Sequence, residues 1–125
     1  MGLSAYARNG VVAGILNNTP FVVPVWCGSL HAGDPGVEGT NAVATLVDTE
    51  EERSQITCAA PVNGVGSSTG DPATWDVTGS ATITHAGFHD AFSGGNWMGR
   101  EPLAQPVQVA NGDVVKLATF SGQLP

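Results

Sequence analysis

The sequence predicts a mainly β protein, an antiparallel β-sandwich of jelly-roll-like type with one short N-terminal helix. Three observations predict it. Short apolar runs recur between clusters of Gly, Pro, Asn and Asp, about eight of them, at the spacing of sandwiches and barrels. The stretch Ala81–Gly99, ATITHAGFHDAFSGGNWMG, reads as a long strand, a glycine-rich turn and a returning strand. Only Leu3–Leu16 shows helical periodicity. At 125 residues the chain is one domain. Residues 1–20 form a helical arm, 21–120 the sandwich and 121–125 a short polar tail.

In Leu3–Leu16 the positions Leu3, Tyr6, Ala7, Gly10, Val11, Gly14 and Ile15 follow the i, i+3, i+4 pattern. Ser4 is placed to cap the start. Gly10 and Gly14 each weaken the helix by roughly 1 kcal/mol relative to alanine. A helix this marginal must lean on its own sheet or on a neighbouring subunit. Leu3, Tyr6, Val11 and Ile15 are the candidate interface.

Phe21–His31 is rich in strand formers, although Pro24 cannot donate a ladder bond and points to an edge or bulge. Ala32–Gly36 is a turn. Asp34 offers an Asx-type bond, Pro35 fixes φ and Gly36 is permissive. Short strands are expected at Asn41–Val47, Arg53–Ala59 and Ala73–Val77. Between them lie the acidic run Asp48–Glu52, read as a solvated loop rather than a cation site, and the Gly/Ser-rich loop Pro61–Pro72. Pro102–Ala110 and Val114–Phe120 are strands joined by an Asn111-Gly112-Asp113 turn.

The totals exclude several functions. The apolar fraction of 42% supports a packed core, and a charged fraction of only 12% suggests that part of the surface is covered by a partner. The net charge is −7, with Arg8, Arg53, Arg100 and Lys116 scattered along the chain. Nucleic acids and anionic membranes need clustered cations, so neither is an expected partner. No apolar run approaches the roughly 20 residues of a membrane helix. The N-terminus lacks the basic start of a signal peptide, so the expectation is synthesis and assembly in a cytoplasm. There Cys27 and Cys58 stay as free thiols unless their strands are neighbours in register.

No catalytic constellation stands out. On a strand, His85 and His89 sit about 13 Å apart at roughly 3.3 Å per residue, too far for one tetrahedral ion. His31 beside Asp34 reads as turn geometry. Ser, His and Asp are all present, but there is no Gly-x-Ser-x-Gly elbow. Gly64–Ser67 lacks the ending of a phosphate loop. Asp71 and Asp76 read as loop and strand-end residues. Neither an enzyme nor a cofactor is expected.

Three segments carry a resemblance. SLHAGDPG at Ser29–Gly36 resembles the Ser-Leu-His-x-x-Asp-Pro-Gly signature of small virion proteins of tailed phages infecting actinobacteria. THAGFHDAFSGGNWMG at Thr84–Gly99 is similar to that family's Thr-His-x-Gly-x-x-x-Ala-x-x-Gly-Gly-x-x-x-Gly segment. Leu103 and Asn111-Gly112-Asp113 match its last strand and turn. The matching positions are His31, Asp34, Pro35 and Gly36, then His85, Gly87, Ala91, Gly94, Gly95 and Gly99, all read as structural turn or core residues. Trp26, Cys27 and Cys58 fall outside the pattern.

Members of this family are labelled tail fibre proteins, and some are minor capsid or decoration proteins on HK97-like heads. The resemblance therefore implies a phage structural protein. A fibre shaft needs heptads or repeats, and this chain has neither. The expected role is accordingly a decoration protein on the capsid surface, binding the major capsid protein as a homotrimer. The alternatives are a tail-fibre or tail-tip module, with loops Gly33–Gly39 and Pro61–Pro72 facing a host surface, and a small hydrolase or metal-binding domain.

Overall fold

The computed structural model describes residues 2–117 and 119–123. In chain order the elements are β1 (Gly2–Leu3), α1 (Ala5–Leu16), β2 (Cys27–His31), α2 (Ala42–Thr45), β3 (Ser54–Gln55) and β4 (Val65–Ser67). There follow β5 (Thr74–Asp76), β6 (Ala81–His89), β7 (Trp97–Val109), β8 (Val114–Lys116) and β9 (Ser121–Gln123). The main sheet has the order β1-β7-β6-β2-β3, and β4-β9 and β5-β8 form two small ribbons. Every pairing is antiparallel. The result is an unequal, sandwich-like fold with one helix of more than a single turn.

The central hairpin forms as the sequence predicts. β6 pairs with β7 from Ala81↔Val109 to His89↔Trp97. The turn holds because Asp90 Oδ1 accepts the Asn96 N–H at 2.7 Å, and Gly94 and Gly95 adopt φ of +64° and +71°. Arg53 fastens the turn from outside, its Nη1 donating to Ala91 O at 2.8 Å and Gly94 O at 2.7 Å. The returning strand runs unbroken from Trp97 to Val109, so Pro102–Ala110 is not a separate strand. It bulges where residues 103–106 face Thr84 alone, between the pairs His85↔Pro102 and Ile83↔Val107.

Alternation along β2 and β6 separates two faces. Leu30 and Phe88 face the ribbon side, where they join Ile56, Trp75 and Ile83 in the buried core. Trp75 Nε1 donates to Gly28 O at 3.2 Å, tying β5 to the sheet. Trp26 stacks on Phe88 at 5.0 Å, with Phe120 5.2 Å from Phe88. An open apolar cavity of about 450 Å³ remains between the sheet and the ribbons, lined by Leu30, Trp75, Phe88, Leu103 and Phe120 among others.

Several expectations are corrected. Phe21–His31 is a strand only from Cys27, because Pro20 and Pro24 cannot donate ladder bonds and the chain bends at Pro24, leaving the preceding segment outside the ladder. Asn41–Val47 holds the one-turn helix α2, not a strand. Thr45 Oγ1 donates back to Asn41 O at 3.0 Å, which favours the turn over extended backbone. Arg53–Ala59 keeps only two ladder residues, and beyond them Cys58 meets Ser68 in an isolated bridge. The Pro61–Pro72 loop contains β4, whose partner is Ser121–Gln123, so the 121–125 segment is a strand rather than a tail through residue 123. Residues 124 and 125 lie outside the described residues, as does residue 118 within the expected strand Val114–Phe120.

His85 and Gly87 sit inside β6 and His31 at the end of β2, in ladder positions rather than turns. A Cβ on Gly87 would overlap the Trp97 ring and approach His31 Nε2 to 2.8 Å. Gly87→Ala should therefore cost about 2–3 kcal/mol through overpacking, read as a lower urea midpoint with an unchanged m-value.

Candidate functional site

The sheet face opposite the apolar core carries polar side chains. Ser29 and His31 point there from β2, and His89 points there from β6. All three are buried. Ser29 Oγ lies 2.7 Å from His31 Nε2 and 3.0 Å from His89 Nε2, so both imidazoles meet one hydroxyl. His85 is not part of this convergence and hydrogen-bonds through Nδ1 to Thr84 Oγ1 at 2.9 Å.

The direction of each bond follows from the end of the chain. Thr45 Oγ1 spends its proton on Asn41 O, so it accepts from His31 Nδ1 at 3.3 Å. His31 thus carries its proton on Nδ1, and its Nε2 is an acceptor. Ser29 Oγ donates to that Nε2 and accepts from His89 Nε2–H. One unbroken relay, His89 to Ser29 to His31 to Thr45 to Asn41, joins β6, β2 and α2.

Trp97 walls the cluster. Its ring meets His89 edge-on at 4.9 Å and 89° and His31 at 5.8 Å and 74°. Its Nε1 donates to Val37 O at 2.9 Å. A Cβ at Gly39 would overlap the same ring, as at Gly87, so two glycines make room for one indole. The Gly33–Gly39 turn is braced in turn. Asp34 Oδ1 accepts the Gly36 N–H at 2.8 Å and lies 3.0 Å from Arg100 Nε in an ion pair whose N–H is not aligned for a hydrogen bond. Pro35 is fully buried beneath the turn, and Gly36 adopts φ +86°.

Burial sets the titration of the pair. It is the largest influence on both His31 and His89 and lowers each to about 4, with Arg53 repelling a proton at His89 as well. Both imidazoles are neutral at pH 7.

A serine donating to an imidazole Nε2 is the first half of a hydrolase triad. Here the second half is a threonine hydroxyl rather than a carboxylate. Ser29 is 1% exposed, and the adjoining cavity of about 70 Å³ admits water but no ordinary substrate. The arrangement fixes tautomers and locks elements together.

The remaining candidates are weaker. Glu50, Glu51 and Asp76 bring ligand atoms within 4.8 Å of one another. Two of the three carboxylates are already engaged, since Glu51 Oε2 accepts the Asp76 N–H, and a side-chain hydrogen bond with Glu51 raises Asp76. Asp71 is not in this group. Cys27 is buried, Cys58 is exposed and both are free.

A family model described as Podophage GP4 fiber I protein gp80 matches residues 2–124. The chain belongs to that family. No curated protein matches it. The family is one of phage fibre proteins, so this member is a virion-associated structural protein. The match spans the relay, the Asp34 turn and the hairpin alike. The His31–His89 pairing was missed in the sequence because their meeting depends on the β2–β6 register. The usable signal was an uncharged, alternating Ser29-x-His31 beside a Gly87-x-His89.

Ser29→Ala removes the shared oxygen and strands a buried donor on His89. It should cost about 1–3 kcal/mol in urea unfolding at neutral pH. A loss under about 0.5 kcal/mol would show that the relay contributes little.

Proposed function

We propose that this chain is a fibre-associated subunit of the phage tail that assembles with copies of itself through the outer face of α1. One observation carries the assembly: α1 buries only Ala7. Tyr6 and Val12 are exposed, as are Ile15 at 73%, Leu16 at 80% and Val22 just beyond the helix. A 12-residue helix with Gly10 and Gly14 is marginal in water, so a covered outer face is its natural state.

Charge favours a second copy as the cover. All 11 carboxylates fall at positions 34–113, and residues 1–33 hold none. Two acidic chains repel least where acids are fewest, and Glu38, the acid that reaches the start of α1, is offset by the Ala5 N–H and by Arg8. Within the expected interface, Leu3 packs against the core and Val11 is half-buried, which leaves Tyr6 and Ile15, joined by Val12 and Leu16, to face a partner. Copies related by rotation close into a ring, and a trimer is the proposed stoichiometry.

The tail assignment rests on the family's description as a fibre protein. A second reading places the subunit on the head against the major capsid protein as a decoration protein. It is favoured by the absence, among the described residues, of any helix longer than the 12 residues of α1, where a fibre shaft calls for long helices or repeats. Copy number separates the two: a handful per virion for a tail part, many for a shell protein.

Light scattering should find an oligomer for the wild type. Ile15→Asp combined with Leu16→Asp should give a monomer whose sheet stays folded and whose helical signal in far-ultraviolet circular dichroism is weakened. A wild type that stays monomeric at tens of micromolar would overturn assembly through α1.

A further inference from the structure

Beyond its place in the virion, we propose that the His89–Ser29–His31–Thr45 relay is an acid-operated latch that holds the 32–46 segment over the polar face of the sheet. The segment is the movable side. β2 and β6 are each hydrogen-bonded to strands on both flanks. The 32–46 segment closes on itself through Ala32 N–H to Thr45 O at 2.7 Å and meets β2 in the His31↔Leu46 bridge, with Val47 N–H to Leu30 O at 2.9 Å just past its end. It meets the relay through Thr45, β7 through Val37 O on the Trp97 indole and through the Asp34–Arg100 ion pair, and the start of α1 through Glu38, whose carboxylate accepts the Ala5 N–H at 3.0 Å.

The relay has one direction, and a proton destroys it. The free lone pair on His31 is at Nε2. Protonation there sets an N–H against Ser29 Oγ from each side and leaves the serine proton without its acceptor. Protonation of His89 falls on Nδ1 and creates a buried cation near Arg53. The charges around the pair do not outweigh burial: at His89 the attraction of Asp90 for a proton is smaller than burial and the repulsion from Arg53. His85 lies across from His31 in the β2–β6 ladder, and Glu52 and Arg53 line the adjoining cavity. Asp90 is held by two bonds from Asn96. The α2 side contributes Ala42, Val43 and Leu46, none charged. Water reaches a new cation most directly through the cavity of about 70 Å³ beneath α2.

The sign follows from burial. Each closed-state imidazole is held near 4 against an ordinary 6.5. The closed form is therefore fully favoured above about pH 6.5 and loses that advantage as pH falls towards about 4. Opening frees the imidazoles to take protons and uncovers the Trp97 edge, while the apolar core on the other face is untouched.

Hydrogen exchange on the full-length protein tests this, with rates corrected for the intrinsic effect of pH. Between about pH 7.5 and about pH 5, protection of amides in 32–46 should fall by about tenfold or more, while Phe88 and Met98 keep theirs. His89→Gln keeps a neutral donor to Ser29 and should reduce that fall. Imidazole nitrogen shifts on the wild type provide a readout independent of any variant. They should show His31 protonated on Nδ1, His89 on Nε2, and neither titrating near 6.5. Protection that is lost everywhere together, protection that does not change, or reversed tautomers would each overturn the latch.

Discussion

Trp97 fills a space that two missing side chains leave open. Gly87 on the sheet and Gly39 in the facing turn both border its ring so closely that any Cβ would overlap it. The indole then serves three elements. Its nitrogen holds Val37, its ring flanks His31 and His89, and its backbone carbonyl accepts the Ser4 hydroxyl at 2.6 Å. Ser4 in turn caps α1 by accepting the Ala7 N–H at 3.2 Å. The helix, the Asp34 turn and the central hairpin are thus oriented by one residue. Edge-on aromatic contacts add only about 0.5–1.5 kcal/mol each, so the steric constraint matters more than the attraction.

The sheet carries opposite chemistry on its two faces. Towards the ribbons, Leu30, Ile83, Phe88 and Trp75 exclude water in the ordinary apolar way. Towards α2, a row of polar groups is buried and joined by hydrogen bonds from His89 to Asn41. Such a row is stable only as a whole, because each group depends on its neighbour's proton. Each side carries one imperfection: Arg100 Nε, ion-paired to Asp34, makes no hydrogen bond on the polar side. Trp26 Nε1 is buried without a hydrogen-bond partner among the described residues, at a cost of about 1–3 kcal/mol. Its ring compensates by stacking on Phe88.

Features built from neighbours in sequence were legible from sequence. The Ser4 cap, the Asp34-Pro35-Gly36 turn, the Asn111-Gly112 turn and the hairpin tip all arise within a few residues. Features built from distant partners were not. Nothing local in Asn41–Val47 reveals that Thr45 is recruited by His31, so its β-branched residues read as a strand. Ser121–Gln123 looks like a polar tail until β4 stands beside it. His85 and His89 drew attention as a pair along one strand. The partner of His89 lies instead across the ladder, a relation set by register that no spacing within one segment encodes. The family membership was legible because it rests on the order of several turns, and order survives when single motifs are weak.

The outer margin of β7 has a consequence for unintended contact between molecules. Past Arg100 that margin has no strand beside it among the described residues, yet it contains Pro102 and Pro106. A proline offers no amide hydrogen to a newcomer, so sheet-to-sheet growth between molecules is discouraged there. That edge is thereby guarded against the endless stacking of a fibril.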